Sequence, residues 1–224
     1  MKWDIPFRDR VEAGQTLAAA LAAWREQADV LVLALPRGGV PVAYEIASAL
    51  ALRLDLMLVR KLGTPGHKEL AMGAIARGGV QVLNDDVIRH LHIPPAAIEA
   101  VVQDEVLELQ RRDLAYRGDR PAPALAGQRV ILVDDGLATG ATMRAAIAAV
   151  RQQAPARVIV AVPVAPVETL AMLRPLVDQL ICPLSPEPFF AIGQWYLDFA
   201  QTTDQEVKTL LSQAWRREQR DAAQ

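Results

Sequence analysis

Residues 130–142 read VILVDDGLATGAT, and the fold turns on them. Val130, Ile131, Leu132 and Val133 offer no polar position to face water, the look of a parallel strand buried on both faces. Asp134 and Asp135 follow at once. A charge buried there without a partner costs several kcal/mol or more, so the two carboxylates must face something polar. Capping the next helix would employ one of them and leave the other without a reason. Carboxylates in this position can accept hydrogen bonds from vicinal hydroxyls or hold a hydrated divalent cation. Ala138, Thr139, Gly140, Ala141 and Thr142 then bring a flexible glycine, two hydroxyls and successive backbone N–H groups to the start of a helix whose Met143, Ala146, Ile147 and Val150 share one face. Such a turn is an anion site suited to phosphate. A diol beside a phosphate is the outline of a sugar phosphate.

The same order of strand, glycine turn and helix occurs earlier. Residues 30–35 are a continuous apolar run that ends in Pro36, Arg37, Gly38 and Gly39, after which Val40, Ala43, Tyr44 and Ala47 take helical spacing. An amphipathic helix is expected over 12–27 and a second buried strand over 54–59. Residues 61–79 contain five glycines with little periodicity and read as a long mobile loop, with short strands at 73–76 and 80–83 and a turn at 84–86. A surface helix should run from Pro94 to Gly118, followed by the linker PAPALAG. Strands at 157–162 and 177–181 flank a helical stretch at 167–173. Thr203 and Glu206 form a capping box for a last helix carrying Val207, Leu210, Leu211 and Ala214. This alternation predicts an α/β fold in one domain, 1–224, with a central parallel sheet covered by helices on both faces. Ligands of such sheets bind outside the carboxyl ends of the strands.

Composition narrows the function. The 224 residues are 52% hydrophobic and 22% charged, ordinary globular usage, and the net charge of -2 gives no footprint for bulk nucleic acid. The apolar stretch 158–167 is interrupted by two prolines and falls short of the roughly 20 residues a membrane span requires. One cysteine, Cys182, and three histidines exclude an internal disulfide and a Cys/His metal cage, and Cys182 has no neighbouring histidine to activate it. The acidic beginning is unlike a secretory signal, and a cytoplasmic location is expected.

VILVDDGLATGAT closely resembles the phosphoribosyl pyrophosphate (PRPP) motif of the type I phosphoribosyltransferases. The resemblance implies that fold, with a small hood built from terminal segments 1–12 and 183–200. It places the ribose hydroxyls on Asp134 and Asp135, and the 5′-phosphate on Ala138, Thr139, Gly140, Ala141 and Thr142. ALPRGGVPVAYEIA looks like the pyrophosphate loop, often built with a non-proline cis peptide, which implicates Arg37, Gly38 and Gly39. Residues 61–79 fit the lid of these enzymes, with Arg60, Lys61 and Lys68 able to reach pyrophosphate. FRDRVEAG and PEPFFAIGQWYLDF are similar to a widespread bacterial subgroup.

The implied reaction is transfer of a 5-phosphoribosyl group from PRPP to a nitrogen acceptor, with Mg²⁺ held at Asp134 and Asp135 and pyrophosphate released. Ala138 stands where 6-oxopurine enzymes carry an aspartate, so that base is absent; adenine-type members carry a lid glutamate, which makes Glu69 the acid/base candidate, although a solvated carboxylate is the simpler reading. The resemblance places Asp134, Asp135, Lys61 and Glu69 in catalysis. Phe190 and Trp195 belong to an aromatic cluster at 189–199 that could stack a planar base, close the sheet edge or form a dimer contact, with packing favoured. The expected partners are PRPP and a small-molecule acceptor, and a homodimer is a family expectation. A non-catalytic PRPP or nucleotide sensor on the same fold is the alternative.

Overall fold

The computed structural model describes residues 5–77 and 79–221, the side chains of Lys68 and Glu69 excepted. In chain order the elements are α1 (Arg10–Ala20), β1 (Val30–Ala34), α2 (Gly39–Ala49), β2 (Arg53–Leu56), β3 (Val59–Thr64), β4 (His67–Ala76), β5 (Val80–Leu83) and α3 (Asp85–His90). There follow α4 (Pro95–Arg117), β6 (Arg129–Val133), α5 (Ala141–Arg151), β7 (Arg157–Ala161), α6 (Val167–Leu173), β8 (Gln179–Ile181) and α7 (Asp204–Asp221).

Five strands form a parallel sheet in the order β2-β1-β6-β7-β8. The chain builds outward from β1 to β2, then returns to the other side of β1 with β6. The order therefore reverses between β1 and β6, the switch point at which open α/β sheets bind ligands. Their register pairs Val30 with Arg129 and Ala34 with Val133, so the two strands end level. Alternation then sorts side chains between two cores. Val30, Val32 and Ala34 join α1, α2, α4 and α7, whereas Leu31, Leu33 and Leu35 join α5 and α6. Strand β2 is an edge, and α7 covers it: the Trp215 indole N–H donates to the Leu54 carbonyl at 2.9 Å, and Arg217 donates to the Leu52 carbonyl at 3.1 Å.

Several local expectations are corrected. Residues 61–79 are not a loop: β3, β4 and β5 form a separate three-stranded antiparallel sheet. Gly73 misled the reading, because it marks close backbone approach within a strand; a Cβ there would lie 2.4 Å from the Val82 carbonyl oxygen. The single strand expected over 54–59 is divided between sheets: β2 ends at Leu56, Met57 and Leu58 stay buried, and β3 starts at Val59. The turn at 84–86 opens α3, capped by Asn84. The first helix starts earlier than its periodicity indicates, because the Asp9 carboxylate accepts from the Glu12 N–H at 2.8 Å, and it ends at Ala20 before a short 3-10 turn.

Helix α4 matches its expected extent, but its last turn is no surface feature. Arg117 is buried, ion-paired with Asp55 of β2 and with Asp113 (2.7 Å), and donates to the Leu56 carbonyl at 3.0 Å. Replacing Arg117 by Met leaves a buried carboxylate uncompensated and should cost about 3–5 kcal/mol in urea unfolding, while adding Asp55→Leu should recover much of the loss.

Candidate active site

The two glycine turns beyond β1 and β6 interlock. The Pro36–Arg37 peptide is cis, and α2 begins directly after it at Gly39. A Cβ on Gly38 would lie 2.0 Å from Asp135 Oδ2, and one on Gly39 would lie 2.7 Å from the Val133 carbonyl oxygen and 2.9 Å from Asp134 Cα. Glycine is required here by proximity. The Leu35 N–H donates to the Val133 carbonyl at 2.9 Å, which continues the ladder into the turns.

Asp135 is buried and Asp134 is partly exposed. Asp134 Oδ1 accepts the Asp135 backbone N–H at 2.9 Å. Asp135 Oδ2 accepts from Arg10 Nε at 2.9 Å and lies 2.8 Å from Arg10 Nη2. The Tyr196 hydroxyl donates to the Asp135 carbonyl at 2.6 Å. Desolvation, and next the charge of Asp135, pushes the Asp134 carboxyl well above the usual carboxylate range; desolvation also raises Asp135, against the pull of Arg10. Arg10 compensates Asp135, and the ionised form of Asp134, disfavoured by burial and by that neighbouring charge, depends on compensation from elsewhere. Hydroxyl donors or a divalent cation would supply the compensation. Among the described residues no group of three or more His, Cys, Asp or Glu side chains could hold a metal; two adjacent carboxylates are of the donor type that suits a hard, hydrated divalent cation.

Beyond the acids, Gly140 takes a left-handed φ of 69° and turns the chain into α5. Thr139, Ala141 and Thr142 are exposed, and the turn is anchored from behind where Thr169 donates to the Ala138 carbonyl at 2.5 Å and the Leu137 N–H donates to the Val164 carbonyl at 2.9 Å. The first turn of α5 thus opens to solvent beside the acids.

Gly38 and Gly39 are therefore brought against Asp134 and Asp135, with Arg37 and residues 138–142 next to them along the chain. Arg37 Nη1 lies 3.9 Å from Asp204 at the start of α7. The lid candidates stand differently: Arg60 Nε donates to Glu105 of α4 at 2.6 Å, Lys61 is exposed on β3, and the side chains of Lys68 and Glu69 lie outside those described. Phe190 is 76% exposed. Trp195 is half-buried against the cluster of Ala13, Val164 and Tyr196, with its indole N–H buried and unpartnered. Burial pushes the Cys182 thiol up to about 12, in keeping with an inert cysteine.

Sequence reasoning missed Arg10 and Tyr196. The terminal segments that carry them pair directly: the Phe7 N–H donates to the Trp195 carbonyl at 2.9 Å, Leu197 N–H to the Phe7 carbonyl at 2.8 Å and Asp198 N–H to the Arg8 carbonyl at 2.9 Å. Both residues sit in segments similar to the bacterial subgroup, but nothing local marks a contact 125 positions away.

A parallel sheet with its switch point between an RGG turn and a DDGLATG turn defines an α/β protein with paired loops at the place where such sheets bind ligands. The phosphoribosyl transferase domain family matches residues 64–193, and the chain belongs to that family. It is 47% identical over 210 residues to "Putative phosphoribosyl transferase Rv0571c" of Mycobacterium tuberculosis H37Rv, and equally to its counterpart in strain CDC 1551. That alignment takes in 94% of this chain and 47% of the relative, so the chain spans about half the length of the curated relatives it matches. The crystal structure of TT1426 from Thermus thermophilus is similar with a TM-score of 0.82 and 42% identity, covering 93% of this chain and 99% of that one. AQ2163 from Aquifex aeolicus shares the fold at a TM-score of 0.51 and 11% identity, covering 82% and 78%.

Gly38→Ala should force Asp135 aside and destabilise the protein by about 1–3 kcal/mol, read as a lowered thermal midpoint.

Proposed function

We propose that the chain transfers a 5-phosphoribosyl group from PRPP to a nitrogen acceptor of the nucleobase or related heterocycle class, releasing pyrophosphate. One observation supports the reading: the turns after two neighbouring strands meet closely at Gly38, Gly39, Asp134 and Asp135, so that a ligand lying across both would touch both. In this reading Asp134 and Asp135 take the ribose hydroxyls, and the N–H groups of residues 138–142 with the Thr139 and Thr142 hydroxyls hold the 5′-phosphate. The departing pyrophosphate is stabilised by backbone N–H groups of the Arg37–Gly39 turn and by the Arg37 guanidinium. Mg²⁺ at Asp134 and Asp135 would neutralise charge on the pyrophosphate and ribose oxygens.

The β3–β4 hairpin serves as the lid, with Lys61 and Arg60 moving toward pyrophosphate and Arg60 exchanging Glu105 for it; closure excludes water from an oxocarbenium-like transition state. Phe190 and Trp195 are proposed as acceptor-side aromatics and Glu69 as the proton-handling group.

The double variant Asp134→Asn/Asp135→Asn should weaken PRPP binding about 10- to 100-fold or more in calorimetry with Mg²⁺, as charge-assisted hydrogen bonds contribute about 1.5–3 kcal/mol each. Unchanged affinity rejects the diol assignment. Pyrophosphate release should appear with PRPP, Mg²⁺ and one member of a panel of bases, and should stop with chelator. Tight PRPP binding without release on any base would instead support a sensor. Protease cleavage at the hairpin tip, Pro65 and Gly66, should slow when PRPP and Mg²⁺ are bound, and equal cleavage with and without them would reject the lid.

A further inference from the structure

Arg10 has three partners, one on the turn after β6 and two on the segment before α7. Its Nε and Nη2 both engage Asp135 Oδ2, at 2.9 and 2.8 Å. Nη1 donates to the Ala200 carbonyl at 2.7 Å, and the guanidinium lies 4.1 Å from the centroid of the Phe199 ring. Phe199 in turn stacks on Tyr196 at 4.9 Å, the residue whose hydroxyl holds the Asp135 carbonyl. Arg10 opens α1, and α1 is docked on α2 at Gly14, where a Cβ would lie 2.6 Å from Glu45 Cβ and 2.7 Å from the Val42 carbonyl oxygen. Helix α2 is the one that begins at the Gly38–Gly39 turn, so the guanidinium is delivered from a fixed platform.

We propose that Arg10 is a positioning residue that fixes the Asp135 carboxylate for the sugar and ties the pairing of residues 7–8 with 195–198 to that carboxylate, so that the acceptor-side hood and the ribose site are set together. The clause concerning the sugar rests on the phosphoribosyl reading above; the tie between hood and acid does not. The chemistry needs arginine in particular. A planar guanidinium meets a carboxylate oxygen with two N–H groups, reaches a carbonyl with a third and stacks its face on an aromatic ring, whereas an ammonium supplies the charge without the fork or the face. Removing it leaves Asp135, already buried, without its cation.

Two ligand-free measurements test the tie. Arg10→Ala should lower the thermal midpoint by several degrees and Asp135→Asn in that background should restore most of it; independent, additive effects would overturn the coupling. Arg10→Lys should stay folded near the wild-type midpoint but exchange the Leu197 and Asp198 amides at least tenfold faster, and unchanged protection there would reject the role of the fork. The third arm is calorimetry with PRPP and Mg²⁺. Arg10→Lys should weaken binding at least tenfold, and raise KM for PRPP more than it lowers kcat, while wild-type affinity in this variant would overturn the positioning role. Failure of the wild type to bind PRPP would refute the sugar assignment itself, with the two ligand-free measurements still deciding the tie.

Discussion

The parallel ladder between β1 and β6 is the constraint on which the site depends. It levels Ala34 with Val133, two residues from opposite halves of the sequence, and so starts both glycine turns from the same height. The chain then diverges, into α2 on one face and α5 on the other, and a crevice opens between them. A slip of one residue would move the turns apart by about 3.3 Å and exchange the two cores, since side chains alternate with a period of two. Neither change is compatible with Gly38 lying against Asp135 or with a strand β1 whose every side chain is already buried.

Charge at the crevice follows from that packing. Level strand ends carry adjacent carboxylates into a poorly solvated place, where desolvation raises both of their pKa values. Arg10 compensates Asp135, whereas Asp134 is partly exposed as a residue and desolvated at its carboxyl. The site is thus disposed toward partners that donate hydrogen bonds or bring positive charge, and the open first turn of α5 beside it is disposed toward an anion. The sugar phosphate and divalent cation proposed above would meet both demands.

Legibility in the sequence tracked how local the determinants were. The buried parallel strands were readable because burial on both faces leaves unbroken apolar runs, and α7 was readable from Thr203, whose hydroxyl accepts the Glu206 N–H at 3.1 Å. The β3–β4 hairpin was not, because glycines that serve close strand packing carry the same local mark as glycines that serve loops. Arg117 was not readable either: on a helix of mixed charge it looks solvated, and only the arrival of Asp55 in β2 explains its burial.

The sequence by itself determined the elements of the phosphoribosyl motif, since the strand, the two acids and the glycine turn are contiguous within residues 130–142 and their chemistry is set by spacing along one stretch of backbone. Tertiary structure alone decided that the RGG turn presses on those acids, that Arg10 takes Asp135, that Arg60 of β3 pairs with Glu105 of α4, and that the two terminal segments pair with each other. Each of these joins residues far apart in the chain. Such contacts are fixed by crossover and register, which are consequences of how whole layers bury their apolar faces and leave no periodic trace at the residues concerned.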